Sequence, residues 1–245
     1  MSLTENTLAQ IVSVKPAAAY VFEKHDLDYC CHGKQTLKQA CEDDYIKLKT
    51  VEHELEAVLF YDDGASSTNF SVMPVHELIQ HIVDRHHRYV KEATPRIIAH
   101  LQKVISKHAG HHPEVNEISK LFAAVSNEMG QHMYKEENIL FPRIKEIAFA
   151  ADNRFNYWEH EKSYLTSPIH LMESEHEIAG TILHKIRSLT HHFTPPADAC
   201  ATFKLAYSEL NEYERDLHRH VHLENNILFP KAMALFSMGG KSNLN

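Results

Sequence analysis

The chain has 245 residues and few that interrupt helices, with only 7 glycines and 9 prolines. That scarcity favours long helices. Its 4 cysteines are Cys30, Cys31, Cys41 and Cys200, two of them adjacent, so a disulfide framework is excluded and a reducing, cytoplasmic setting is expected. No apolar run approaches the roughly 18 residues needed to cross a bilayer. The polar start, Met1 to Gln10, lacks the basic-then-apolar pattern of a secretory signal. A net charge of −8 without a basic stripe argues against nucleic acid as the main partner. Strand-like alternation is missing too.

What the chain has in excess is histidine, 21 residues, against an ordinary globular background of 43% hydrophobic and 24% charged residues. Abundant histidine points to metal or acid–base chemistry. Composition does not choose between them.

Residues 1–60 read as several short helices. Pro16 stands where a first helical position would be, ahead of Ala17, Ala18, Ala19, Val21 and Phe22. Asp28-Tyr-Cys-Cys-His-Gly-Lys34 follows, punctuated by Gly33. Thr36 caps a helix with Leu37 and Ala40, and another helix is expected from Tyr45 to Phe60. The polar, Gly/Ser-bearing stretch 61–73 reads as a linker. Four long helical patterns occupy 74–240: Pro74 to Ser106 with a bend at Pro95, Pro113 to Phe141 stopped by Pro142, Pro168 to Leu189, and Asp198 to Phe229 stopped by Pro230. Four antiparallel helices of this length make an up-down four-helix bundle, so the fold class is all-α.

Helices two and four are near copies. His132-Met-Tyr-Lys-Glu136-Glu-Asn-Ile-Leu-Phe-Pro142 recurs 88 positions later as His220-Val-His-Leu-Glu224-Asn-Asn-Ile-Leu-Phe-Pro230. Each half of the bundle is therefore one helical hairpin. His132 and Glu136 stack on one helix face, and Leu121, Val125 and Ile139 share that face. His220 and Glu224 are flanked in the same way by Tyr213, Leu217 and Ile227. A carboxylate in an apolar stripe costs several kcal/mol unless something compensates it. Two such pairs facing each other across a bundle are compensated if metal lies between them.

Helix three adds His176, on a stripe with Ile169, Met172 and Leu183. Helix one offers His86 or His87. Periodicity through Leu78, Ile82, Val90 and Ile97 puts His86 nearer the centre of the stripe and His87 at its edge. A lone core histidine is ordinarily a hydrogen-bonded core residue, and a single His-x-x-x-Glu is only suggestive. Two in matching contexts, with core histidines on the other helices, are much more specific. His25, His53, His81, His100, His160, His170, His184, His191, His192 and His218 are assigned surface or capping roles, and Met129, Met172 and the Ile-Leu-Phe-Pro segments core packing. Nitrogen and oxygen donors without thiolate suit iron or manganese, and six ligands exceed one tetrahedral zinc site. If both glutamates bridge, an oxide or hydroxide bridge still leaves each metal an open position for O₂ or NO.

These motifs, with Glu173-Ser-Glu-His176-Glu and Asp28-Tyr-Cys-Cys-His-Gly-Lys-Gln-Thr-Leu37, resemble the iron–sulfur cluster repair (RIC) family of hemerythrin-like proteins over almost the whole chain. The Cys-Cys motif is specific to this group among hemerythrin-like proteins. His32-Gly33 stands where the family has Gly-Gly or a similar pair. The resemblance implies a cytoplasmic protein with two non-haem irons, oxo- or hydroxo-bridged, that restores clusters after nitrosative or oxidative damage by supplying iron. Its partners would be damaged iron–sulfur proteins or a cluster scaffold, with a homodimer left open. Aligning the family's Arg-Tyr-His on Arg85-His86-His87 moves the helix-one ligand to His87, against the periodicity. The implied ligands are His87, His132, His176 and His220, with Glu136 and Glu224 bridging. The family also keeps a histidine where His108 stands. On a continuous helix His108 lies about 30 Å from His87, so it reads as a helix-end residue. Glu175 is a supporting partner or an iron route. Cys30 and Cys31 take a thiol or iron-transfer role: beside a glycine turn and Lys34, whose charge lowers a thiol pKa, the pair is expected to be exposed and reactive, the alternative being two buried, inert small hydrophobes. Rival readings are an O₂- or NO-binding sensor, an NO-reducing enzyme, and a metal-free bundle.

Overall fold

The computed structural model describes residues 3–42, 44–60, 68–153 and 163–239. Within the linker expected at 61–73, residues 61–67 lie outside these, as does His160. A single 3-10 turn (Leu3–Glu5) leads into α1 (Leu8–Val14), α2 (Ala18–Lys24), α3 (Leu37–Ala40) and α4 (Tyr45–Phe60). Short helices need strong caps. Thr7 and Gln10 form a capping box at α1, and Thr36 and Gln39 repeat it at α3. The two caps are joined by an isolated antiparallel bridge, Thr7 against Thr36, which ties the starts of both helices together. Pro16 stands ahead of the Ala17 cap of α2 rather than at its first helical position. Leu8, Phe22, Leu37 and Leu55 are fully buried and form the core of this unit.

The bundle comprises α5 (75–108), α6 (114–153), α7 (Ser163–Leu189) and α8 (201–239). Helix α6 packs on α5 and α7, and α8 closes the ring on α5 and α7. Two apolar clusters fill its interior: one around Ile97, Phe122 and Leu210, continuous with the N-terminal unit, the other around Ile82, Ile144 and Leu228.

Three of the four helices contain a π turn, at Ile82–His87, Glu136–Leu140 and Glu224–Leu228. These turns correct the sequence reading. Pro142 and Pro230 do not stop their helices, which run on to Asn153 and Gly239. The N–H of Phe141 reaches back five residues to Glu136 O, as Phe229 N–H does to Glu224 O. The widened turn accommodates the ring that follows, which an ordinary α turn would not. Helix α7 likewise begins at Ser163, before Pro168. The carbonyl of Tyr164, which would have faced the missing Pro168 N–H, accepts from Arg143 Nη1 at 2.8 Å.

Candidate metal centre

Each π turn coincides with a candidate ligand: His87 ends the first, and Glu136 and Glu224 begin the others. The widened turn also explains the ambiguity in helix one. One extra residue per turn lets neighbours share an inward face, so His86 and His87 are both buried, 4% and 0% exposed. Only His87 reaches the centre. His86 instead turns its Nδ1 to Asp216 Oδ1 at 3.1 Å. His108 ends α5, with its Nε2 3.2 Å from the Cys200 sulfur, at the end of the helix away from His87.

The structure brings His87, His132, Glu136, His176, His220 and Glu224 together, all within 1% exposure. Donor atoms of His87, His220, Glu136 and Glu224 lie within 4.8 Å of one another, and so do those of His132, His176, Glu136 and Glu224. Both glutamates belong to both groups. Glu136 Oε2 lies 3.3 Å from Nε2 of His87 and 3.3 Å from Nε2 of His132, one histidine from each group. Glu224 lies 2.9 Å from His220 and 3.1 Å from His176.

The donors converge as ligands of an ion would. His87 and His220 point Nε2 at Nε2 across 3.2 Å, and His132 and His176 across 3.0 Å. Two nitrogens each about 2.1 Å from one ion at right angles would sit about 3 Å apart. Neither oxygen of Glu136 accepts a well-aligned hydrogen bond, nor does Oε2 of Glu224. Buried polar atoms are normally paired, so lone pairs aimed at common points fit two cations held between nitrogen and oxygen donors.

Outer groups orient the rings. His87 Nδ1 donates to Glu137 Oε1 at 2.8 Å, and Lys91 Nζ donates to the same oxygen at 2.8 Å. His132 Nδ1 donates to Glu175 Oε2 at 3.0 Å, and Lys135 pairs with that carboxylate. His176 Nδ1 donates to Asn225 Oδ1 at 2.9 Å. A donating Nδ1 leaves the Nε2 lone pair for the centre. Phe141 stacks on His87 with ring centroids 5.8 Å apart, and Phe229 on His176 at 6.4 Å. The repeated Leu-Phe-Pro thus walls the centre as well as packing the core.

The electrostatics are strong. Burial alone would lower the pKa of His132, but Glu136 and Glu175 outweigh it and raise it to about 10. Burial opposes ionisation of Glu224 and Glu136, yet the histidines beside them hold both below the usual carboxylate range. In place of these protons, bound cations would balance the same carboxylates.

The cysteine motif sits where the N-terminal unit meets the bundle. Asn226 Nδ2, two residues beyond Glu224, donates to Cys30 O at 2.9 Å. Arg215 Nε donates to Glu23 at 2.8 Å, and Arg187 Nη1 to Asp26 at 3.0 Å. Gly33 is dictated by crowding: a Cβ there would press on the Tyr29 carbonyl and lie 2.9 Å from Ala9 Cβ and from Asn226 Oδ1. Asp28 Oδ1 accepts from the backbone N–H groups of Cys30 and Cys31 at 3.0 and 2.9 Å and from the Cys30 thiol at 3.1 Å. The expectation of an exposed pair activated by Lys34 is corrected for Cys30. That side chain is buried, and its hydrogen bond to Cys31, its burial and the Asp28 carboxylate push its thiol pKa well up. Cys31 is half-buried. A cavity of about 170 Å³ runs from Cys30 and Cys31 past Leu183, Leu217 and Val221 to His176.

Sequence reasoning missed Glu137, Asn225, the His86–Asp216 pair and the buried His222. The first two could have been found as the residues following Glu136 and Glu224 in the repeat. None of the histidines assigned to the surface is buried among the described residues.

Fold and centre together define a cation-binding bundle of the hemerythrin type. The Hemerythrin HHE cation binding domain model matches residues 78–232, and the ScdA_N model, a Domain of Unknown function (DUF542), matches residues 4–59. The iron–sulfur cluster repair protein YtfE of Citrobacter koseri is 36% identical over 234 residues, covering 96% of this chain and 99% of that one. YtfE of Enterobacter sp. is also 36% identical and that of Escherichia coli 35%, with the same coverage. The chain belongs to the YtfE family of iron–sulfur cluster repair proteins.

Proposed function

We propose that this protein repairs iron–sulfur clusters damaged by nitrosative or oxidative stress, by donating iron from a site for two non-haem irons. The observation that carries this is the sharing of Glu136 and Glu224 by two four-residue groups at the bundle centre. In this reading His87, His132, His176 and His220 are terminal ligands, and the two glutamates bridge. Bound iron would supply the exchangeable cation and an open position for O₂ or NO. The chain's own residues hold, orient and shield it: Glu137, Glu175 and Asn225 fix the rings, and Phe141 and Phe229 exclude water. Imidazole and carboxylate release a cation as they take up protons, so such a site gives up iron more readily than a thiolate cage. The clients are damaged iron–sulfur proteins or a cluster scaffold.

Cys30 and Cys31 face the cavity that reaches His176, which supports a thiol or iron-transfer role at that histidine's side of the centre. The same cavity has Leu183, Leu217 and Val221 in its wall beside charged residues such as Asp28, Arg187 and Glu214, and it is a path by which NO could reach His176, which favours NO binding as a second reading. All four cysteines are free, which fits the cytoplasm. No helix among the described residues is long and apolar enough to cross a membrane.

The test is reactivation of a nitric-oxide-damaged [4Fe–4S] enzyme by ⁵⁷Fe-loaded protein. Appearance of ⁵⁷Fe in the restored cluster supports donation. Restoration without label transfer contradicts it.

A further inference from the structure

The internal repeat relates not only the helices but the surroundings of the two metal positions, and the relation fails at one residue. His87 corresponds to His176, His132 to His220, and Glu137 to Asn225. In both halves the residue after the shared glutamate accepts from the histidine of the neighbouring helix: Glu137 from His87 at 2.8 Å, and Asn225 from His176 at 2.9 Å. In one half the residue before the histidine, Glu175, also accepts from His132 at 3.0 Å. The matching residue in the other half is His86. Its ring lies parallel to that of His220, with centroids 5.6 Å apart and planes 5° apart, and its Nδ1 faces Asp216. Among the described residues no group accepts from the buried His220 Nδ1.

We infer that the two metal positions hold iron unequally and that the one formed by His87 and His220 releases its iron first. This rests on the iron-donation reading above and adds which ion is donated. A carboxylate or amide on the outer nitrogen fixes the ring and raises its basicity, and losing it weakens metal binding about 10- to 100-fold. The His132/His176 position has such a partner on both rings. The His87/His220 position has it on His87 alone. Space lies behind the weaker position as well: a cavity of about 180 Å³ is lined by His86, whose ring stacks on His220, and by Asp216 and Leu223, with Arg85 and Arg219 also in its wall. Asp216 lines that cavity, and its Oδ2 is buried with no hydrogen-bond partner among the described residues, so an uncompensated carboxylate oxygen stands beside the weaker position. The cavity at the cysteine pair reaches His176 instead, which assigns those thiols to the retained position, in a thiol role rather than in transfer of the first iron released.

Iron-loaded protein mixed with a ferrous chelator, with release followed by the colour of the chelate, tests this. Two phases of equal amplitude are expected, with rates differing about 10- to 100-fold. His86→Gln gives His220 an amide acceptor, as Asn225 gives His176, and should slow the fast phase towards the slow one. Glu175→Leu should instead quicken the slow phase. Two irons leaving at one rate, or a fast phase unaltered in His86→Gln at full iron content, overturn the inference while leaving donation intact. A wild-type chain that holds no iron overturns both.

Discussion

Asn226 donates its side-chain amide to the Cys30 carbonyl at 2.9 Å, from a position two residues beyond Glu224. One π turn of α8 therefore supplies both a candidate ligand carboxylate and the anchor of the cysteine motif. The small unit is fixed to a helix that contributes two of the candidate ligands, His220 and Glu224.

Removing that anchor should loosen the junction without unfolding the bundle. Asn226→Ala should cost about 1 kcal/mol through the lost hydrogen bond. Limited proteolysis should then cut within the N-terminal unit sooner than in the wild type, with iron content unchanged. Gly33→Ala should act at the same junction and more severely, because the added methyl meets Tyr29, Ala9 and Asn226 together. A variant as resistant as the wild type would show that the ion pairs of Arg187 and Arg215 hold the junction unaided.

The junction should also be acid-sensitive through His222, which is 4% exposed and packs on Tyr29 with centroids 5.6 Å apart. Burial lowers its pKa to about 4, against a backbone hydrogen bond with Tyr29 that works to raise it. A pKa below the ordinary 6.5 means that the unfolded chain takes up the proton first. This contribution is therefore fully present above pH 6.5 and is lost as pH falls towards 4, by about 3 kcal/mol in all. Urea unfolding of the iron-free wild type and His222→Leu from pH 7 to pH 4 should give a shallower fall for the variant. Parallel curves would contradict the assignment.

The two adjacent thiols should differ in reactivity. Cys30 is buried and hydrogen-bonded to Asp28, while Cys31 is half-buried. A brief pulse of iodoacetamide on the native protein should label Cys31 well ahead of Cys30, as read by peptide mass. Asp28→Asn removes the carboxylate that disfavours the Cys30 thiolate and should narrow the gap. Equal labelling in the wild type would contradict the burial seen here.

Much of this was legible in the sequence because it depends on periodicity. The 88-residue repeat predicted paired His-x-x-x-Glu faces, and the structure brings those four residues together. What periodicity could not show is where the helix departs from 3.6 residues per turn. Three π turns shift the phase, and they lie at the candidate ligands. That is why periodicity put His86 nearer the centre of the stripe than His87 and why Pro142 and Pro230 read as stops. Most of the outer partners were hidden for another reason. Glu137 looks like a surface carboxylate until the neighbouring helix brings His87 against it, and Glu175, legible as a supporting residue beside His176, turns out to hold His132 on another helix. Cys30 is buried in an apolar cluster that includes Leu217 and Val221 of α8, a long-range packing that no local pattern near Cys30 records.

The central claim is that Glu136 and Glu224 hold two cations between them. Iron content and optical absorption of the purified protein, beside the double variant Glu136→Leu/Glu224→Leu, test it most directly. The account predicts two irons per chain, with the absorption of a bridged pair, in the wild type. It predicts neither in the variant, whose iron-free form should unfold no earlier than the iron-free wild type, because two buried carboxylates have been replaced by apolar groups. A wild type without iron, or a variant that keeps it, would contradict the centre described here.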